Sequence, residues 1–250
     1  VGDGPVTAMA LLSVTLDLDG TLLDTVPDLA AACHAMLAEL GQPPRSDDEI
    51  RNFVGKGMAV LVERCLTWSA PPEPALVQAG IAAFRRHYAE TNGRTAQPYP
   101  GVFAGLDALA AQGLKLGVVT NKPEAFTLPL LERQGLAHYF AAVVSGDTLA
   151  QKKPDPAPVR HACELLGCLP AENVHVGDSS NDFIAARGAG CLTIGVPYGY
   201  NEGRPVTESS VDVASCHALV SDLHDAARMV AAWNESLRQG GELPPPARHS

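Results

Sequence analysis

The 250-residue sequence has no apolar run near the roughly 18–20 residues a membrane span needs, which excludes a transmembrane helix. It is short of positive charge, with 18 Lys and Arg against 28 Asp and Glu and a formal net charge of −10. An acidic surface repels nucleic acid and anionic lipid, so neither is an expected partner. The six cysteines (Cys33, Cys65, Cys163, Cys168, Cys191 and Cys216) form no Cys-x-x-Cys pair and no metal-ligand spacing. They read as small buried apolar residues of a reducing compartment, so a cytoplasmic location is expected. Residues 1–12 lack the positive n-region of a signal peptide, and Met9 would serve as a second start. Internal repeats are lacking. What is present is a hydrophobic fraction of 46%, too high for a disordered chain. The length suffices for a substantial core without disulfides or structural metals.

Five short apolar runs, at 11–16, 114–119, 141–144, 174–176 and 192–196, read as buried strands. Each runs straight into a polar cluster. The first of these is Asp17-Leu18-Asp19-Gly20-Thr21, and the second Thr120-Asn121-Lys122-Pro123. Ser145-Gly146-Asp147, Gly177-Asp178-Ser179-Ser180 and Pro197-Tyr198-Gly199 follow the other three. Helical stretches at 103–112, 124–134, 157–166 and 181–189 alternate with the strands. That alternation predicts an α/β fold: a Rossmann-like parallel sheet with helices on both faces. In such sheets the ligand crevice lies beyond the carboxyl ends of the strands, where the polar clusters fall.

Residues 25–97 contain no convincing strand. Leu29, Cys33, Met36, Leu37 and Leu40 recur at helical spacing, with Gly41 as a stop. Met58, Leu61, Val62, Cys65 and Leu66 form a second apolar stripe, and Ile81, Phe84 and Tyr88 mark a third helix. Charge separates the parts as well, because 25–97 carries a net −1 and the remainder −9. The expected organisation is a catalytic core of 1–24 and 98–235, an inserted α-helical cap of 25–97, and a disordered tail of 236–250 with three consecutive prolines.

The chemistry is expected at the strand ends. Asp17, Asp19, Asp178 and Asp182 gather four negative groups there, and a hard divalent cation resolves their repulsion. Mg²⁺ takes oxygen ligands of this kind together with waters and substrate phosphate. Thr120 supplies a hydroxyl and a backbone N–H, Asn121 donates alongside it, and Lys153 adds a positive charge, which together suit a phosphate group. Phosphoryl transfer requires positioning, charge neutralisation and an in-line nucleophile. Asp17 is a carboxylate able to act as that nucleophile. Asp19 then serves as general acid for the leaving oxygen and as base for water, with Lys153 holding both phosphate and Asp17.

The stretches Asp17-Leu18-Asp19-Gly20-Thr21-Leu22, Val119-Thr120-Asn121-Lys122, Lys153-Pro154 and Gly177-Asp178-Ser179-Ser180-Asn181-Asp182 resemble, in order, the four motifs of the haloacid dehalogenase-like phosphohydrolase superfamily. The resemblance implies that Asp17 is nucleophile and Mg²⁺ ligand. It implies that Asp19 is the acid/base and binds metal through its backbone carbonyl, that Asp178 is a further ligand, and that Asp182 supports the site through water. Leu16 stands where Phe is usual and is expected in the core. Val54-Gly55-Lys56-Gly57, Leu61 through Trp68, and Tyr198 through Gly203 resemble the phosphoglycolate phosphatases within that superfamily. The implied substrate is 2-phosphoglycolate, with Lys56 and Arg64 of the cap as its cationic contacts. The implied partner is thus a small phosphorylated metabolite, and the chain is expected as a monomer or homodimer.

Other readings are weighed against this one. A dehalogenase lacks the second carboxylate and needs no metal, which disagrees with Asp19 and Asp178. A β-phosphoglucomutase would want a cap His where Leu29 stands. Phosphatases of pyrophosphate, nucleoside monophosphates, or sugar and amino-sugar phosphates share the motifs and are the alternatives. A non-catalytic phosphate-binding regulator is the alternative of another class. Among single residues, Lys122 is expected as a solvated lysine, His175 as a partly buried strand residue, and Asp24 as structural or supporting. Lys152 is a competitor of Lys153.

Overall fold

The computed structural model describes residues 10–204, 206 and 216–241. In chain order the strands and helices are β1 (Ser13–Leu16), β2 (Leu23–Asp24), α1 (Val26–Glu39), α2 (Asp47–Phe53), α3 (Met58–Leu66), α4 (Pro74–Thr91), β3 (Gln97–Pro98) and α5 (Val102–Ala111). Then come β4 (Lys115–Val119), α6 (Glu124–Arg133), β5 (Phe140–Val144), α7 (Ala157–Leu166), β6 (Asn173–Gly177), α8 (Ser180–Ala189), β7 (Leu192–Gly195), β8 (Ala218–Leu219) and α9 (Leu223–Arg238). Six strands form one parallel sheet in the order β5-β4-β1-β6-β7-β8. The expected parallel sheet with helices around it is the observed fold.

Strand alternation divides the core between the two faces of the sheet. Val14 and Leu16 of β1, with Leu116, Val118, Val174 and Val176, pack against α5 and α9 through Leu106, Leu109, Val230 and Trp233. Leu16 is fully buried there, as expected. Val119 and Val144 face the other way, onto Val159 and Ala162 of α7 and Ala185 and Ala186 of α8. The polar residues of β1 are paired in register with those of β6. The Ser13 hydroxyl donates to the Asn173 side-chain oxygen (2.8 Å), and Thr15 Oγ1 lies 2.9 Å from His175 Nδ1. His175 is wholly buried rather than partly so, because this pairing satisfies a ring in the sheet interior.

From β1 the sheet grows to β4 and β5 on one side, then to β6, β7 and β8 on the other. The direction of growth therefore reverses around β1. The carboxyl ends of β1, β4 and β6 border the switch point where open α/β sheets bind ligands.

Four helices, α1 to α4, lie between β2 and β3 and share a hydrophobic cluster of their own, including Leu37, Ile50, Val62 and Phe84. Phe126 and Tyr200 from the α/β part join that cluster, so the insert rests on them. Both strands at its neck pair, with Leu23 opposite Pro98 and Asp24 opposite Gln97. Asp28 fastens the neck again from the first turn of α1. Its buried carboxylate accepts from Gly93 N (2.7 Å), Thr95 N (2.8 Å), Thr95 Oγ1 (2.5 Å) and Ala96 N (3.2 Å).

Several elements were not expected from the sequence. β2, β3 and β8 have two residues each, too few to show a period. α2 carries a capping box, Ser46 to Glu49, whose S-x-x-E signature is legible in the sequence. α9 runs to Arg238 with Leu237 buried, so residues 236–238 continue a helix where a disordered tail was expected. Residues 242–250 lie outside the described residues. No helix among the described residues is long and apolar enough to cross a membrane.

Replacing Asp28 by Ala leaves its buried donors without an acceptor. Losing charge-assisted bonds of this kind should lower the unfolding free energy by about 3 kcal/mol, read from the midpoint of a urea titration.

Candidate active site

β1 ends at Leu16, and the backbone N–H of Asp17 still bonds to Val176 of β6 (3.0 Å). Asp17 is thus held in the frame of the sheet, with its side chain 14% exposed at the crevice. The turn that follows depends on Gly20, whose φ of +88° suits glycine. A Cβ there would sit 2.5 Å from Asp178 Oδ2, so only a bare backbone lets the turn close over that carboxylate.

Lys153 is the cation beneath the site. Its buried ammonium donates to the Val119 carbonyl (2.6 Å) and to Asp182 Oδ1 (2.6 Å), and pairs with Asp17 Oδ1 (2.9 Å). Burial alone would lower its pKa, but Asp17 and Asp182 outweigh that and keep the ammonium charged. Lys152, the competitor, is exposed. Asp182 has no exposed surface. Its Oδ2 accepts from Ser179 N (3.1 Å) and Ser179 Oγ (2.9 Å), and its Oδ1 lies 3.3 Å from His175 Nε2. Burial would raise the Asp182 pKa, yet Lys153 and then His175 hold it well below the carboxylate range. Asp182 was expected to act through water; it supports the site by directly holding Lys153.

Asp17, Asp178 and Asp182 each offer a carboxylate oxygen, all within 4.8 Å of one another. Burial pushes the Asp17 carboxyl well up against the pull of Lys153, and the charges of Asp182 and Asp178 push it further. Burial and Asp182 likewise push Asp178 up to about 7, despite bonds from Tyr200 N and Thr21 Oγ1. Three acids face one ammonium, and the excess of hard oxygen donors suits Mg²⁺. Asp17 and Asp178 are the acids with capacity for it, because Asp182 is already saturated by its neighbours.

Asp19 does not join that cluster through its carboxylate. Beyond the turn it accepts from Thr25 Oγ1 (2.6 Å) and pairs with Lys122, whose ammonium reaches Oδ1 (2.8 Å) and Oδ2 (3.1 Å). Lys122 was expected in solvent. It is buried instead, its side chain 3% exposed, because the turn of β1 brings Asp19 over the end of β4. Burial would depress its pKa, but Asp19 more than offsets that. The only sequence signal for it was a lysine in the polar cluster after a strand.

Thr120 is buried, its N–H bonded to Val144 and its hydroxyl oxygen accepting from Lys122 N (3.2 Å), which leaves the hydroxyl proton to donate. Asn121 was expected to donate to phosphate alongside Thr120, and its side chain has other partners. Its amide nitrogen donates to the carbonyls of Lys153 (2.9 Å) and Gly55 (3.0 Å), and its oxygen accepts from Lys153 N (3.0 Å). The side chain is therefore a clamp on Lys153. Lys56 and Arg64 of the insert, expected as substrate contacts, have a partner within the protein. Arg64 pairs with Glu202 (2.5 Å) and donates to the Phe53 carbonyl, while Lys56 lies 3.3 Å from Glu202. A carboxylate from the loop after β7, distant in sequence, occupies both cations and ties the insert down. Asp24 accepts from the buried Tyr200 hydroxyl (2.8 Å), which is structural support at the neck.

The profile of the haloacid dehalogenase-like hydrolases matches residues 14–196, a span that contains all four motifs. A protein from Thiobacillus denitrificans named phosphoglycolate phosphatase is 49% identical over 224 residues, covering 89% of this chain and 96% of its own. One of the same name from Nitrosospira multiformis is 47% identical with the same coverage. Among solved structures, a protein from Haemophilus somnus 129pt described as a predicted phosphoglycolate phosphatase superposes with a TM-score of 0.81. It is 33% identical and covers 90% of this chain and 99% of that one. By motif order, fold and full-length likeness, the chain belongs to the haloacid dehalogenase-like hydrolase family.

Proposed function

We propose that this phosphoric monoester hydrolase is a Mg²⁺-dependent phosphatase that converts 2-phosphoglycolate to glycolate and phosphate through an aspartyl-phosphate on Asp17. The observation that carries the mechanism is the placement of Asp17. It is open to the crevice, 2.9 Å from a buried ammonium, and grouped with two further carboxylates. The choice of substrate is supported by near full-length relatives named phosphoglycolate phosphatase. The free thiols of Cys33, Cys65, Cys163, Cys168 and Cys191 support a reducing compartment, in keeping with the cytoplasm.

An Asp17 oxygen attacks phosphorus, the bond from phosphorus to the glycolate oxygen breaks, and Asp19 gives its proton to that oxygen. Water then attacks the same phosphorus, Asp19 takes the water proton, and Asp17 leaves as a carboxylate with phosphate released. Lys153 stays fixed against Asp17 throughout, and the Thr120 hydroxyl donates to a phosphate oxygen. Asp17 and Asp178 would hold the Mg²⁺, with the Asp19 carbonyl in support, and the ion when bound neutralises charge on the phosphoryl oxygens. The helical insert acts as a cap that excludes water around the leaving group.

Phosphate release with Mg²⁺ should be fastest, by kcat/KM, for 2-phosphoglycolate in a panel with pyrophosphate, nucleoside monophosphates and sugar phosphates. A better substrate elsewhere in the panel refutes the substrate assignment. Asp17→Asn should lower kcat by about 10³-fold or more, and activity at the wild-type level would refute the nucleophile.

Metal linkage gives a readout apart from turnover. Asp17 titrates above its unfolded value and Asp178 up to about 7, so the folded chain binds extra protons from about pH 4 upward. Stability from this cluster therefore falls as pH rises through that range and the carboxylates come to repel one another. Added Mg²⁺ should raise Tm more at pH 8 than at pH 5, and equal shifts at both would contradict a metal at these carboxylates.

A further inference from the structure

A cavity of about 40 Å³ lies between the helical insert and the α/β part, beside Asp19. Lys122 lines it from the α/β part, and Leu29, Met58, Phe84 and Tyr88 line it from the insert. In this mainly apolar lining, two side chains have hydrogen-bonding capacity left. Tyr88 is 2% exposed, and its buried hydroxyl makes no close hydrogen bond, with the Lys122 ammonium as its polar neighbour. Buried hydroxyls are nearly always satisfied, so one without a close bond at a cavity wall has capacity for a further partner. The ring is fixed by Phe84 (centroids 5.2 Å apart) and Phe126 (4.9 Å), so the hydroxyl has a set position. The Lys122 ammonium lies 4.9 Å from the Tyr88 ring centroid. Two of its three donors reach Asp19, and the third has the Tyr88 hydroxyl as its neighbour, so ammonium and hydroxyl stand side by side at the cavity wall. Gly57 and Met58 bring the start of α3 to the same cavity, and no side chain caps its first-turn N–H groups.

We infer that Lys122 and Tyr88 form a carboxylate subsite, which selects phosphate monoesters of two- or three-carbon hydroxy acids. The inference rests on the phosphatase reading above and deepens it by naming the residues that recognise the leaving group. Size agrees with charge. About 40 Å³ holds roughly three water-sized groups, close to the bulk of a carboxymethyl group. Lys56 and Arg64 pair with Glu202 and neither lines the cavity, so Lys122 is the cation at its wall. The subsite also divides the substrate between the two lysines, with phosphate against Lys153 and carboxylate against Lys122.

The test compares kcat/KM for 2-phosphoglycolate and for ethyl phosphate, which has the same chain length but no carboxylate, using the full chain with Mg²⁺. The ratio of the two is the readout, because Lys122 also holds Asp19 and its loss slows both substrates. Lys122→Met should lower the ratio by about 10- to 100-fold, the worth of a charge-assisted bond. Tyr88→Phe should lower it by about 5- to 10-fold, mainly through KM, at an unchanged or higher Tm because the ring packing stays. Should Lys122→Met fail to fold, Tyr88→Phe decides alone. A wild-type preference for 2-phosphoglycolate that Tyr88→Phe and any folded Lys122→Met leave intact overturns the subsite and spares the substrate assignment. The same holds if the ratio falls only in Lys152→Met at the exposed neighbouring lysine. A wild-type enzyme with no preference for the carboxylate overturns both.

Discussion

The ammonium of Lys153, buried among a main-chain carbonyl and two carboxylates, is the interaction on which the rest of the site depends. A parallel sheet brings the ends of β1 and β6 together, and with them Asp17, Asp178 and Asp182. Acids so close and so dry could not remain ionised without a fixed cation. The protein therefore secures that cation from every side. Asn121 clamps its backbone, Asp182 holds its head group, and Asp182 is in turn fixed by the Ser179 cap and by His175. His175 leads on to Thr15 in β1, so a continuous polar column runs from within the sheet to the proposed nucleophile. Burial lowers the His175 pKa and keeps the ring neutral, as its place in that column requires.

The two acids of the Asp17-Leu18-Asp19 segment are two residues apart, yet each has its own lysine. Asp17 takes Lys153 from the loop after β5, and Asp19 takes Lys122 from the end of β4. Their environments separate because Asp17 still belongs to the strand, whereas Asp19 has entered the turn that Gly20 permits. One acid consequently faces the carboxylate cluster and the other faces the helical insert. In the proposed reaction this places the nucleophile beneath the phosphate and the proton carrier beside the leaving group.

Polar contacts anchor the insert at its neck and along its seam. Asp28 and the β2–β3 pair close its neck, Tyr200 bonds to Asp24 and Thr25, and Glu202 receives Arg64 and Lys56. Phe126 and Tyr200 complete the apolar cluster of the four helices from outside it. The cavity beside Asp19 lies along this seam, so the same contacts that hold the insert also set the space left for a leaving group.

Much of this was legible in the sequence, because strands buried on both faces read as continuous apolar runs and helices show their own period. That fixed the parallel sheet, three of the four insert helices and the polar clusters at the strand ends, Asp17, Thr120, Lys153 and Asp178 among them. It was blind to strands of two residues and passed over α2 and α9, although the capping signature of α2 was there to read. What it could not assign was pairing. Lys122 pairs with Asp19, Asn121 with Lys153, and Lys56 and Arg64 with Glu202, all more than 30 positions away, and composition carries no information about such a distance. Sequence by itself determined which groups gather at the crevice, since each follows a strand. Only the tertiary structure decided which of them are already engaged with one another and which remain free for a substrate, because burial and charge pairing are properties of neighbours in space.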